Sequence, residues 1–446
     1  MVRKMLRNTA LKIKNEDFSF QYKIIKQIMN EEDLAQFQKK ELYKLLTHVS
    51  KNVQYYKNLL TKSYTDESSF IKKFNSIPIL KKRDLKKQFQ KLISKDYLSR
   101  RWYTNYSGGS TGEPTKFIQD KNYNKWVNAT NRFYYNEILN IDEENVKKVI
   151  LWGSQKDTFE NKFSIKKNLG VWLNNIKFLN SFKMTPQDMN RYVKIINTFK
   201  PDLIRGYANS LYEFSLFIEK TKKKIYSPRV IISSAETLDT LKKKKIETIF
   251  NTKVYNFYGS RETAAIGGEC EEGLIHIFSF NNLLEVLDNN DDKVKQGNEG
   301  RIIITNLHNY SMPFIRYEIG DTAILGPKRC KCGIILPTLK KLTGRIDDRF
   351  IRRDGTVVSG YFFIHLFSVI YYDEKIQKFQ IIQEDYEKIR ILIESDAPIP
   401  QAKKSAIEDK INEEMGGGIH FIWEYVDEIK KAKSGKYIFT KSLLNP

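Results

Sequence analysis

Residues 203–257 read LIRGYANSLYEFSLFIEKTKKKIYSPRVIISSAETLDTLKKKKIETIFNTKVYNF, and this stretch decides the fold class. Leu203–Arg205, Val230–Ser233 and Val254–Phe257 are short apolar runs of the kind found in fully buried strands. Between them, Ser210–Lys220 and Leu238–Phe250 carry apolar residues at helical spacing. Parallel neighbours need a crossover of this length, so strands alternating with helices imply a largely parallel sheet. The pattern extends upstream through Lys148–Trp152 (KVILW) as a strand and Met189–Phe199 as a helix. Residues 17–99 read as helices, as does Asn122–Leu139. From about residue 274 the period shortens. Leu274–Phe280, Leu283–Asp288, Gly300–Thr305 and Thr322–Leu325 resemble strands of a smaller β-rich unit. After Gly344 the pattern resets: Phe379–Gln383 pairs with Ile389–Glu394, Gln401–Met415 is an amphipathic helix, and His420–Val426 is a strand. The expected architecture is α/β: a large domain over 1–345, with parallel-type sheets plus a β-rich subdomain, and a small α+β domain over 346–446.

The chain has 446 residues, 76 Lys+Arg against 53 Asp+Glu, a formal charge of +23, and 41% hydrophobic residues, ample for a large core. Its three cysteines rule out a disulfide scaffold. No apolar run reaches the ~18 residues a spanning helix needs. The basic N-terminal stretch lacks the apolar core of a signal peptide. The expectation is a cytoplasmic protein without an integral membrane segment. Nucleic-acid binding is disfavoured despite the charge, because the lysines are spread along the chain and lack the bidentate base-reading geometry of arginine.

The sharpest motif is Tyr106-Ser107-Gly108-Gly109-Ser110-Thr111-Gly112-Glu113-Pro114-Thr115-Lys116. Its glycines allow a tight turn that presents backbone N–H groups, and its hydroxyls add donors for phosphate oxygens. It is not a Walker A loop. On its own, such a turn is as compatible with an ordinary loop as with phosphate binding.

Five further segments follow in order: Ser234-Ala235-Glu236, Asn256-Phe257-Tyr258-Gly259-Ser260-Arg261-Glu262, Arg316-Tyr317-Glu318-Ile319-Gly320-Asp321, Gly344-Arg345-Ile346-Asp347-Asp348 and Ser434-Gly435-Lys436. Together with the glycine loop they resemble the motif series of the adenylate-forming enzymes. Pro201-Asp202-Leu203-Ile204-Arg205-Gly206-Tyr207, the short chain and the cysteine positions resemble the phenylacetate–CoA ligase branch, which includes the CapK-type proteins of surface-polysaccharide loci. The resemblance implies that Ser107, Gly108, Gly109, Ser110, Thr111 and Gly112 hold the phosphates of ATP. It places Ser234, Ala235 and Glu236 beside adenine, with Asn256, Phe257, Tyr258, Gly259 and Ser260 lining the nucleotide. Glu262 would hold Mg²⁺, a hard cation suited to carboxylate oxygens. Asp321 would accept from the ribose hydroxyls, Arg345 would approach the ribose or phosphate, and Asp347 would be the hinge. Lys436 would be the catalytic cation. Tyr135, Trp152, Ala264, Ala265 and Ile266 are the expected lining of the acid pocket.

Cys270, His276, Cys330 and Cys332 form the Cys₃His inventory of a closed tetrahedral zinc site. The residues alone also fit buried small hydrophobes; the resemblance to the branch favours a structural Zn²⁺. The resulting expectation is an ATP-dependent carboxylate ligase that passes its acyl-adenylate to a thiol, CoA foremost. The alternatives are transfer to a carrier protein or to an amino-sugar in surface-polysaccharide biosynthesis, or a basic nucleic-acid- or membrane-binding protein that keeps the fold without the chemistry.

Overall fold

The computed structural model describes residues 2–57, 59–60, 73–107, 115–152, 170–181, 184–345, 350–358, 360–367, 371, 376–395, 397–430 and 438–444. Strands β1 (Trp102–Tyr106) and β2 (Lys116–Asp120) pair antiparallel, on either side of the glycine-rich stretch in the sequence. The next eleven strands are β3 (Lys148–Trp152), β4 (Ile176–Asn180), β5 (Leu203–Tyr207), β6 (Val230–Ser234), β7 (Val254–Ser260), β8 (Ala264–Glu269), β9 (Ile275–Ile277), β10 (Asn282–Leu287), β11 (Glu299–Asn306), β12 (Tyr317–Leu325) and β13 (Thr338–Arg345). Among the described residues they form one sheet, in the order β10-β11-β12-β13-β9-β8-β7-β6-β5-β3-β4. Strands β3 to β7 are mutually parallel, and the remaining pairings are antiparallel. The β-rich stretch is therefore not a separate layer. It continues the parallel sheet edge to edge, joined through β7–β8 and β9–β13.

Two faces of the parallel strands are buried differently, following the period-two alternation of a strand. On one face Val149, Leu151, Ile204, Ile231 and Val254 pack beneath the helices Pro186–Phe199, Ala208–Thr221 and Thr240–Phe250. On the other, Leu203, Val230, Ile232 and Phe257 meet Trp126, Phe133, Tyr134 and Tyr135. The helices begin and end where the chain chemistry dictates. Thr185 and Asp188 form a capping box ahead of Pro186, and Lys200 closes that helix at φ 49° just before Pro201. The expected Asn122–Leu139 helix is regular only over Lys121–Phe133. It widens into a π-turn at Tyr134–Ile138, which puts Tyr134 and Tyr135 on the sheet.

The N-terminal helix Val2–Ile13 is pinned by charge. Arg7 donates to both Glu143 carboxylate oxygens at 2.9 Å, and Lys148 Nζ donates to Glu143 at 2.7 Å. Burial pushes the Glu143 carboxyl up, but Lys148, Arg7 and Arg132 together outweigh it and hold it below the usual range. Because the folded value lies below the unfolded one, this stabilisation is present at neutral pH and is lost as acid titrates Glu143 in the native state. Glu143→Gln strands buried cations, and we expect a cost of about 3 kcal/mol in denaturant unfolding at pH 7, shrinking toward zero in acid.

The small domain holds the hairpin β14 (Phe350–Ile351) and β15 (Val357–Val358), and a sheet ordered β18-β17-β16-β19. Its strands are β16 (Ile376–Asp385), β17 (Lys388–Ser395), β18 (His420–Tyr425) and β19 (Thr440–Ser442). The helix Gln401–Met415 packs Ile407 and Ile411 into a core with Ile381, Ile389 and Ile391. This domain meets the large one through Tyr212, which donates to the Gln377 carbonyl at 3.1 Å, and through Lys242, whose Nζ lies 3.9 Å from the centre of the Phe439 ring.

Candidate active site

The carboxyl ends of β5, β6 and β7 lie side by side, with Tyr207 opposite Ser234 and Ser234 opposite Phe257. Open α/β sheets bind ligands at this edge. The β7–β8 turn rises from it. Ser260 Oγ accepts from Thr263 N–H at 3.0 Å, and Ala264 takes a left-handed φ of 50°. A Cβ on Gly259 would sit 2.5 Å from the Ala264 carbonyl oxygen, so the turn requires glycine. We expect Gly259→Ala to displace this turn and cost about 1–3 kcal/mol in denaturant unfolding.

Three sequence-remote segments meet at this turn. Gln119, on the hairpin that carries the glycine loop, donates through Nε2 to the carbonyls of Arg261 and Glu262 at 3.0 and 3.1 Å. Tyr258 donates its hydroxyl to Asp321 Oδ2 at 2.9 Å. Asp321 in turn stands opposite Arg345 in the β12–β13 pairing. The Glu262 carboxylate is half-buried, and among the described residues no side chain pairs with it. Among the described residues no lysine accounts for it by a salt bridge, and carboxylate oxygens suit a hard cation.

At the base of the glycine loop, Ser107 is buried; its N–H donates to the Thr115 carbonyl at 2.9 Å and its Oγ accepts from Thr115 N–H at 2.9 Å. Ser107 thus closes the hairpin, and its hydroxyl proton has no acceptor among the described residues. Ser234 is buried, Ala235 turns the chain at φ 67°, and Glu236 accepts from Asn209 N–H at 2.9 Å at the start of the helix Ala208–Thr221. Asn256 N–H donates to Glu269 at 2.7 Å. Gly108 to Gly112 (with Ser110 and Thr111), Asp347 and Lys436 lie outside the described residues, as does the side chain of Arg345.

The expected pocket residues separate. Tyr135, Trp152 and Ala265 lie on the sheet face of the π-turn, where the Trp152 and Tyr207 rings stand 4.1 Å apart. Ile266 is fully buried on the opposite side, in a core with Phe117 and Phe314. Ala264 belongs to the turn. Arg205, which no motif marks as a pocket residue, lies among them. Its signal was available: an arginine in the middle of a buried parallel strand, Leu203-Ile204-Arg205-Gly206.

A second constellation lies at the β9–β13 seam. The ligand atoms of Cys270, His276, Cys330 and Cys332 all fall within 4.8 Å of one another. Cys270 Sγ is 3.7 Å from Cys330 Sγ, and Cys332 Sγ is 3.2 Å from His276 Nε2. A tetrahedron with metal–sulfur bonds near 2.3 Å has edges of about 3.8 Å, so the spacing fits zinc. His276 Nδ1 faces the Leu336 carbonyl at 3.3 Å, which leaves Nε2 as the lone-pair nitrogen. Burial lowers the His276 pKa, so the ring stays neutral, the ligand form.

Comparison with known proteins agrees with this geometry. A family described as the CapK C-terminal domain matches residues 350–443. The fold is that of the adenylate-forming CoA ligases. 2-Hydroxyisobutyryl-CoA ligase, in its postadenylation state with an acyl-AMP, superposes with a TM-score of 0.68 at 17% identity, covering 91% of this chain and 88% of that one. Among sequences, the chain is homologous to Protein CapK of Staphylococcus aureus, 24% identical over 98% of this chain and 96% of that protein. Phenylacetate–coenzyme A ligase of Thermus thermophilus is 25% identical over 73% of each chain. Among the described residues no helix is long and apolar enough to cross a membrane.

Proposed function

We propose that the protein is an AMP-forming carboxylate–CoA ligase. The observation that carries this reading is the hydrogen-bonded meeting of the glycine-loop hairpin, the Tyr258–Glu262 turn and Asp321 at the carboxyl ends of the parallel strands. Residues 107–112 would hold the phosphates of ATP, Asp321 its ribose, and Tyr258 and the backbone of Ser234–Glu236 its base. Glu262 would hold Mg²⁺, which when bound neutralises phosphate charge. A carboxylate oxygen attacks the α-phosphorus, the bond to the bridging oxygen breaks, and pyrophosphate leaves. Lys436 would stabilise the charge that develops on the carboxylate and α-phosphate oxygens. The thiolate of CoA then attacks the acyl carbon and AMP departs. The phenylacetate and hydroxyisobutyryl ligases, both CoA ligases by name, support CoA as the acceptor.

The two domains would divide at residues 345–346, with Asp347 as the hinge about which the small domain turns between the two half-reactions. A structural Zn²⁺ would be held by Cys270, His276, Cys330 and Cys332. It would tie the β8–β9 loop to the β12–β13 loop and so brace the strands that carry Glu262 and Asp321. With four protein ligands it has no open position for substrate. The test of the reading is product analysis: incubation with ATP, Mg²⁺, CoA and a panel of acids should release AMP together with one thioester. AMP release that ignores CoA while an amine or a carrier protein accelerates it would move the acceptor elsewhere.

A further inference from the structure

Adenylation at Tyr258–Glu262 makes no use of Arg205, yet the fold places its guanidinium with care. Strand β5 is flanked by strands on both sides, and Leu203, Ile204 and Gly206 are buried. Arg205 shares its face with Trp152, Tyr207, Ser234 and Phe257, by the registers of β3, β5, β6 and β7. Its Nε donates to Ser234 Oγ at 3.1 Å and one terminal N–H donates to the Tyr135 hydroxyl at 3.3 Å. The guanidinium lies 4.3 Å from the centre of the Phe257 ring.

A partly buried cation loses hydration that only an opposite charge restores well. Among the described residues no carboxylate pairs with Arg205. The nearby Glu269 is occupied, accepting from Lys243 Nζ at 2.5 Å and from Asn256 N–H at 2.7 Å. The two hydroxyls are already acceptors toward Arg205, so their own protons point away from it. Neither Tyr135 nor Ser234 has an acceptor for that proton among the described residues. Three donor groups are thus gathered without an oxyanion, beside the expected acid pocket and next to the Ser234–Glu236 turn.

We propose that Arg205, Tyr135 and Ser234 form a subsite for a second oxyanion on the acid, so that the substrate is a dicarboxylic acid. The subsite rests on the adenylation reading. One carboxylate would be activated at the turn while Arg205 orients the other, which selects against acids with a wholly apolar body.

The experiment is ATP–pyrophosphate exchange by the full-length protein with matched acids: adipate against hexanoate, glutarate against pentanoate, homophthalate against phenylacetate. The wild type should favour at least one diacid over its matched monoacid by tenfold or more in kcat/KM. Arg205→Met, close in length and uncharged, should lose about 10- to 100-fold on that diacid, mainly through KM, the size of a lost charge-assisted hydrogen bond. Its rate on the monoacid should hold or rise. Should Arg205→Met unfold, Arg205→Lys carries the test by a smaller loss confined to the diacid. Exchange that prefers monoacids, or falls equally on both acids in the variants, overturns the subsite and leaves the adenylation reading standing. No exchange with any acid overturns both.

Discussion

Replacing Lys436 by alanine should lower acyl-adenylate formation by about 10²–10³-fold while ATP affinity changes only a few-fold. The carboxylate and the α-phosphate are both anionic, and charge builds on their oxygens as the new bond forms. A cation that meets this charge chiefly in the transition state affects kcat rather than binding. The flanking chain is well anchored: Ile429 N–H donates to Glu394 at 3.1 Å, and Gln380 and Ile381 bind the carbonyl of Ile438 and that of Phe439 at 2.7 and 2.8 Å. The alanine variant should therefore unfold at the wild-type denaturant concentration. Lys436→Arg keeps the charge but changes its geometry, and should recover only part of the rate. Equal rates in wild type and Lys436→Ala would remove this lysine from the chemistry.

Metal removal should have an effect of comparable size on stability. Protein purified without chelator should carry about one equivalent of zinc. Stripping it, or Cys332→Ser, should lower unfolding free energy by several kcal/mol, because the metal would join Cys270 and the β9 residue His276 to the β12–β13 loop, where otherwise only the short β9–β13 pairing holds them. Without metal, burial foremost and the neighbouring thiols push the Cys332 pKa up to about 12, so the empty cluster would be held by weak thiol contacts alone. The loss should reach the active site, since β8 leads from the Glu262 turn to Cys270 and β12 leads from Asp321 toward Cys330. Weaker Mg·ATP binding in the stripped protein would report it. A metal-free preparation with unchanged unfolding would exclude the structural ion.

Much of this was legible in the sequence, for identifiable reasons. Strands such as Lys148–Trp152 and Val230–Ser234 are short apolar runs, and local pattern suffices for them. Gln401–Met415 ends at Gly416 at φ 89°, a stop signal that needs no tertiary knowledge. The continuity of the sheet was not legible, because edge-to-edge joining of β9 to β13 pairs residues some 60 positions apart with no local mark. Strand alternation explains the division of Ala265 from Ile266: neighbours in a strand face opposite cores, so a contiguous pair could not both line one pocket. Arg205 was visible as an anomaly in a buried strand, but its partners Tyr135 and Ser234 come from elements 70 and 29 residues away.

Acid-dependent ATP–pyrophosphate exchange with the wild-type protein is the deciding measurement for adenylation. Exchange should require Mg²⁺ and at least one acid in a panel spanning aliphatic, aromatic and dicarboxylic acids, and should fall by at least a hundredfold in Lys436→Ala. Exchange at the no-acid background across the whole panel would contradict it.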